Sequence, residues 1–225
     1  MLPSLSSEQV KELDRLAAKR FGIRLDWLME AAGWQAARAC RAHTTVVCGT
    51  GNNAGDGLAA ARHLHRWGRL ERVSCVDTGR LAGEARAELD ALQRLGIEVS
   101  GELRLDKAEG VLDALFGTGL NRPPEGRFAE WIESINRSGV RVVAVDLPSG
   151  LDADTGVAYA PCVRADATVT FTLPKAGLLK NDGPRLSGEI RVADIGVPFE
   201  AIAAIGVEVP DGLFDADDAV WMNRQ

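Results

Sequence analysis

No apolar run in the chain approaches the ~20 residues of a membrane span. Its first residues, Met1-Leu2-Pro3-Ser4-Leu5-Ser6-Ser7-Glu8, lack the basic start and apolar core of a secretory signal. The expectation is a soluble, cytoplasmic protein without a membrane partner. Basic charge is not in surplus either: 26 Lys and Arg stand against 32 Asp and Glu, a net charge of −6 that argues against DNA or RNA as a partner. The cysteines, Cys40, Cys48, Cys75 and Cys162, form no C-x-x-C pair, and Cys48 and Cys75 fall in apolar strand-like runs, so all are read as free core thiols. His63 and His65, two apart on a helical stretch, point in different directions and exclude a two-histidine metal site.

What is present is a globular composition, 46% hydrophobic over 225 residues, with no break that divides it into two domains. One domain over 1–210 is expected. Beyond Asp211 the chain turns acidic and loses periodicity, which reads as a tail or the start of a linker over 211–225. Helices are expected from Ser6 to Arg20, with Ser6 and Ser7 as caps, and from Asp26 to Arg41. Strands are expected at Thr44–Cys48, Arg72–Val76, Val111–Phe116, Val140–Asp146, Ala167–Phe171 and Ile190–Ala193. Helices fall between them at Gly55–Trp67, Gly83–Leu95 and Glu125–Asn136. Short apolar strands alternating with helices imply a parallel sheet covered on both faces. The fold class is α/β: a Rossmann-like three-layer α/β/α sandwich with a mostly parallel sheet and two extra N-terminal helices that pack on the sheet or on a partner.

The densest chemistry lies in Gly49-Thr50-Gly51-Asn52-Asn53-Ala54-Gly55-Asp56-Gly57, between a β-branched run and an alanine-rich helix. Glycines allow close approach of backbone to ligand, and free N–H groups at a helix start favour a phosphate. No Walker lysine follows, which counts against a P-loop NTPase. Asn52, Asn53 and Asp56 add amides and a carboxylate that a phosphate loop does not need. Gly49-x-Gly51-x-x-Ala54 also fits a dinucleotide fingerprint, with Asp77 where a ribose-binding acid would lie. Asp77, Asp113 and Asp146 each end or run close to the end of a strand, where ligands bind in open parallel sheets. Such an Asp is about as often a cap or turn former as a site residue. Asp113 is followed by Gly117-Thr118-Gly119-Leu120-Asn121-Arg122-Pro123-Pro124, and Asp146 by Leu147-Pro148-Ser149-Gly150. Three polar, glycine-bearing loops at one sheet edge exceed what capping requires.

With these loops assembled the chain resembles the YjeF N-terminal domain family, the NAD(P)H-hydrate (NAD(P)HX) epimerases. Leu28-Met29-Glu30-Ala31-Ala32-Gly33 is similar to the family's LMExAG helix, 51–57 to GNNGGDG, 113–120 to DxxFGTG and 145–151 to DxPSG. Ala165–Phe171, Pro174-Lys175-Ala176-Gly177 and Asp194-Ile195-Gly196-Val197-Pro198 match as well. Ala54 stands for the first glycine of the family's pair, Ala31 for a frequent asparagine, and Asp77-Thr78-Gly79-Arg80 where members can carry a lysine. The resemblance implies that Asn52, Asn53, Ala54, Gly55 and Asp56, together with Gly117, Thr118, Gly119, Leu120, Asn121, Arg122, Pro123 and Asp146, contact the damaged cofactor. It implies a potassium ion held by Asn53, Asp113 and Ser149, whose oxygens suit a weakly charged cation. The implied substrate is NADHX or NADPHX, hydrated at C6 of the nicotinamide, with its R and S epimers interconverted.

Inversion at C6 breaks a bond there and needs a proton donor and a base. Asp146 is the first choice and Asp56 the next, with Asp113 as scaffold. Asp146→Asn is expected to abolish epimerisation without unfolding the domain. The family also implies a homodimer through the N-terminal helices and frequent fusion to an ADP-dependent dehydratase, with 215–225 as the junction. Two other readings are a non-catalytic nucleotide-binding or scaffold module of the same fold and an NAD-dependent dehydrogenase. The second explains the glycine fingerprint but not Asn52-Asn53 or Asp146-Leu147-Pro148-Ser149-Gly150.

Overall fold

A computed structural model describes residues 2–41 and 43–222. Strands β1 (Thr44–Cys48), β2 (Leu70–Cys75), β3 (Val99–Ser100), β4 (Gly110–Ala114), β5 (Arg141–Val145), β6 (Ala167–Phe171), β7 (Glu189–Ala193) and β8 (Ala219–Trp221) form one sheet in the order β3-β2-β1-β4-β5-β6-β7-β8. Every pairing is parallel except that of β7 with β8. Helices are α1 (Ser7–Phe21), α2 (Leu25–Ala39), α3 (Asn52–Arg66), α4 (Gly83–Arg94), α5 (Arg127–Arg137), α6 (Gly183–Leu186) and α7 (Phe199–Ala204).

Alternation along the strands builds the layers. Val46, Cys48, Leu112 and Ala114 join one core with Ala36 of α2, Ala61 and Leu64 of α3, and Leu89 and Leu92 of α4. Val47, Val111 and Val142 point the other way, into a core with Trp131, Ile132 and Ile135 of α5. The expected three-layer sandwich is therefore present.

Helix α3 is buried nearly all round, because the sheet lies on one side of it and α2 on the other. Its alanines make that possible: a Cβ on Gly33 of α2 would lie 2.8 Å from the backbone N of Ala60. The first N-terminal helix, α1, starts with a reciprocal capping box, Gln9 N donating to Ser6 Oγ (3.2 Å) and Ser6 N to Gln9 Oε1 (2.9 Å). It shares an apolar cluster with α7 through Leu13, Ala201 and Ile202. Both N-terminal helices thus pack on the domain itself.

Beside the short elements β3, α6 and α7, which the sequence reading lacks, two features depart from it. Helix α3 begins at Asn52 rather than Gly55, so Asn53, Ala54 and Asp56 are helical, and Ala54 needs no left-handed backbone. Strand β8 falls inside the stretch read as a tail or linker. It is too short to show periodicity and is held in place by tertiary contacts: Gln35 Nε2 donates to the carbonyls of Asp194 (3.1 Å) and Asp218 (3.3 Å), and Arg38 and Arg191 pair with the Asp218 carboxylate. The end of the expected junction, 223–225, lies outside the described residues.

Candidate functional site

The sheet order reverses at β1, which is followed in sequence by β2 on one side and flanked by β4 on the other. Ligands of open α/β sheets bind at such a switch point, beyond the strand carboxyl ends. Here the loops after β1 and β4 touch. A Cβ on Gly49 would overlap the Leu115 carbonyl, and one on Gly117 would lie 3.3 Å from the Asn53 side chain. Gly49 therefore serves the joining of two loops, whereas a Cβ on Gly51, the N-terminal flank of α3, would meet nothing.

A cleft of about 150 Å³ opens at this edge, lined by Asp14, Asn52, Asn53, Asp56, Gly117, Thr118, Asp146, Thr172 and Lys175 over an apolar base that includes Leu28, Met29 and Phe171. That volume is below the ~300–1,000 Å³ of pockets that enclose a whole ligand. It is the size of one small ring and not of a whole dinucleotide.

Two neighbouring strands end in the same turn. After β5, Asp146 has φ +67°, its N–H donates to Val169 O and the next N–H to Val145 O (both 2.8 Å). After β6, Thr172 has φ +66°, its N–H donates to Ala193 O (2.8 Å) and the next to Phe171 O (2.7 Å). A positive φ at a β-branched residue is a true outlier, and such strain concentrates at functional sites. Leu-Pro follows in both cases, in Asp146-Leu147-Pro148-Ser149 and Thr172-Leu173-Pro174-Lys175. The fourth residue of each turn reaches back to an acid on, or just after, the preceding strand. Ser149 bonds Asp113, and Lys175 bonds Asp146. Lys175 was not among the expected site residues. The repeated Leu-Pro spacing is the signal that marks it.

Lys175 Nζ lies 2.5 Å from Asp146 Oδ1 and donates to Phe171 O (3.0 Å) and Thr170 Oγ1 (3.3 Å), while the Thr170 hydroxyl donates to Asp146 Oδ1 (3.1 Å). Two further carboxyls share the cleft without such pairing among the described residues. Burial pushes Asp56 well above the usual carboxylate range, with Asp146 and Asp14 adding to the rise and Lys175 opposing it. Asp14, on α1, is pushed up to about 6, chiefly by burial, with Lys175 opposing and Asp146 adding.

Beside the cleft, Asp113 is fully buried and accepts from Leu115 N (3.2 Å), Ser149 N (2.9 Å) and Ser149 Oγ (2.7 Å). Ser149 Oγ accepts in turn from Phe116 N (2.9 Å). Burial nonetheless raises the Asp113 carboxyl to about 6, and no basic side chain pairs with it among the described residues. A monovalent cation among the oxygens of Asp113, Ser149 and Asn53 would supply the missing positive charge, so the donor set fits potassium. Asn53 Nδ2 is also buried without a hydrogen-bond partner among the described residues; as an N–H donor it calls for an acceptor on a ligand and not for the cation itself.

Asn52, Asn53, Asp56, Gly117, Thr118 and Asp146 are brought together as expected. Ala54 and Gly55 are not: the helical turn points them into the core, where a Cβ on Gly55 would strike Met29 Sδ. Gly119, Leu120, Asn121, Arg122 and Pro123 run on as a largely exposed loop beyond the cleft lining. Asp77 caps a short turn by accepting from Gly79 N (3.0 Å), the bland alternative for a strand-end acid. His63 packs edge-on against Trp34 and faces Glu30 (2.9 Å), and all four cysteines are free. No cluster of His, Cys, Asp and Glu suited to a metal occurs among the described residues.

Residues 25–177 match the family model described as YjeF-related protein N-terminus. The chain is 43% identical over 207 residues to the bifunctional NAD(P)H-hydrate repair enzyme Nnr of Thermofilum pendens, covering 84% of this chain and 39% of that protein. It therefore spans about two-fifths of such bifunctional relatives. It is 37% identical to the NAD(P)H-hydrate epimerase of Rhodopirellula baltica, covering 92% of this chain and 89% of that protein. The crystal structure of yeast ynu0, YNL200c, superposes with a TM-score of 0.83 at 26% identity, covering 98% of this chain and all of the other. With the family model matched over most of its length, the chain belongs to the family of YjeF-related N-terminal domains.

Proposed function

We propose that the chain is an NAD(P)H-hydrate epimerase, an isomerase that interconverts the R and S epimers of NADHX or NADPHX. The observation that carries the reading is a ring-sized cleft holding Asp56 beside the Asp146–Lys175 pair. Relatives covered over most of their length bear that activity in their names. Loss of hydroxide from C6 leaves a cation shared between the ring nitrogen and C6. A cleft lined by carboxylates favours such a cation over the neutral hydrate.

The roles divide by environment. Asp146, in an ion pair with Lys175, serves to stabilise the cation, so we move it from proton donor to electrostatic partner. Asp56, whose protonated form burial favours, gives a proton to the departing hydroxyl. The open N–H groups at the start of α3 suit a phosphate of the part of the substrate left outside the cleft. Asn53, Asp113 and Ser149 would hold potassium, whose positive charge would offset the buried Asp113 carboxyl. The acid that the dehydrogenase reading assigns to the ribose, Asp77, instead accepts from Gly79 N within its own turn.

No helix among the described residues is long and apolar enough to cross a membrane, and a cytoplasmic, homodimeric enzyme with a fused or separate dehydratase to consume the S epimer completes the proposal. The test is conversion of purified R-NADHX to the S epimer in potassium buffer, followed by chromatography. Acceleration over the spontaneous rate is expected. A folded, potassium-loaded chain without acceleration would leave the scaffold reading in its place.

A further inference from the structure

Helix α1 lies outside the matched family segment, yet it contributes a wall of the cleft. Its position is fixed at the entrance. Leu5 N donates to Pro174 O and Ala176 N donates to Leu5 O (both 2.9 Å), a clamp that straddles Lys175. Ser7 adds two bonds to Asp154, from its N–H (2.6 Å) and its hydroxyl (2.7 Å). Leu13 is buried in the cluster with α7, and the next residue, Asp14, lines the cleft with Asp56, Asp146 and Lys175. No donor or basic group bonds the Asp14 carboxyl among the described residues. Its polar atoms are free to meet a ligand.

We infer that Asp14 is the base of the epimerisation, its carboxylate taking the proton from the water that adds to C6. The inference rests on the epimerase reading and adds to it the second proton site that inversion requires. In the R to S direction the C6–O bond breaks with its electron pair and Asp56 protonates the departing oxygen, leaving the ring as an iminium cation. A water lone pair forms the new C6–O bond from the other face, and the proton it sheds passes to Asp14. Exchange with solvent then returns a proton to Asp56 and removes one from Asp14, and nothing is oxidised or reduced. The reverse direction exchanges the two roles. Asp14 and Asp56 suit this division because they stand on separate helices, α1 and α3, around one ring-sized space.

Protonation levels agree with the geometry. The groups that face Asp14 are Lys175 after β6, Asp146 after β5 and Asp56 on α3, while α7 packs on α1 through apolar Ala201 and Ile202. Held at about 6, Asp14 is largely ionised at neutral pH, while burial holds Asp56 well above the ordinary carboxylate range.

The experiment compares wild type, Asp14→Asn and Asp14→Ala as folded chains in potassium buffer, with R-NADHX, from pH 5 to 8. Wild-type kcat/KM should rise with pH through about 6. Asp14→Asn should lose that rise and about 10²–10⁴-fold in kcat at pH 8, with KM nearly unchanged. Added formate should restore Asp14→Ala in a saturable manner, because a small carboxylate can fill the vacated place, an effect no structural role would give. Wild-type epimerisation with Asp14→Asn equally fast, or a slow Asp14→Ala that formate does not rescue, would overturn the assignment of Asp14 alone. A wild-type chain without epimerisation would instead overturn the epimerase reading itself.

Discussion

Lys175 Nζ sits 2.5 Å from Asp146 Oδ1, with only 4% of the lysine side chain and 11% of the aspartate exposed. A buried pair of this kind adds little net stability, but removing one partner strands a charge. Lys175→Met should therefore destabilise the domain by about 3–5 kcal/mol in urea unfolding and abolish epimerisation. Asp146→Asn should lose activity and also some stability, because it leaves the Lys175 ammonium unpaired. The double variant should be more stable than Lys175→Met alone. Equal stability of Lys175→Met and wild type would show that the pair is not sealed as described.

Asp14 makes stability depend on pH in a defined direction. Its folded-state value, about 6, is above the unfolded value near 3.8, so the folded chain holds a proton that the unfolded chain has released between those limits. Stability falls as pH rises through that window, and the whole penalty is present above it. Asp14→Asn should accordingly gain up to about 2–3 kcal/mol at pH 8 and nothing at pH 3, read from urea midpoints at the two values. A gain of the same size at both would discard the cause given.

Potassium should stabilise the domain through Asp113. Wild type is expected to melt higher in potassium chloride than in choline chloride at equal ionic strength, by an increment that grows with concentration. Asp113→Asn should erase the increment. Ser149→Ala should reduce it and cost about 1–3 kcal/mol besides, since it leaves Phe116 N–H without its acceptor. An increment unchanged in both variants would move the cation elsewhere.

Gly33 sets how closely α2 approaches α3. A Cβ there would meet the Ala59 side chain and, at 2.8 Å, the Ala60 backbone N, neither of which can swing aside. Gly33→Ala is expected to cost about 1–3 kcal/mol of thermal or urea stability by overpacking. Gly51→Ala, in open space, should cost far less.

The three-layer fold, the parallel sheet and most element positions follow from patterns within a few residues: period-two and period-3.6 apolar spacing, Ser6 before α1, Gly22 after it. Asn53, Asp56, Asp113, Asp146 and Ser149 are legible too, because each lies in a strand-end or glycine-rich segment that a parallel sheet must bring to one edge. Short pieces escaped: β3, α6, α7 and β8 are each too brief to show a period. The register of α3 decided what the loop could do. Starting the helix at Asn52 aims Asn53 and Asp56, three apart, at the cleft, and sends Ala54 and Gly55 into the core.

Pairing and protonation belong to the tertiary structure alone. Lys175 and Asp146 are 29 positions apart in sequence and meet because β5 and β6 are neighbours that end in the same left-handed turn. Asp14 reads in the sequence only as a polar position on an amphipathic helix. Local chemistry names the residues that can carry charge; which of them keeps its charge depends on how much water the folded chain removes and which opposite charge it brings near.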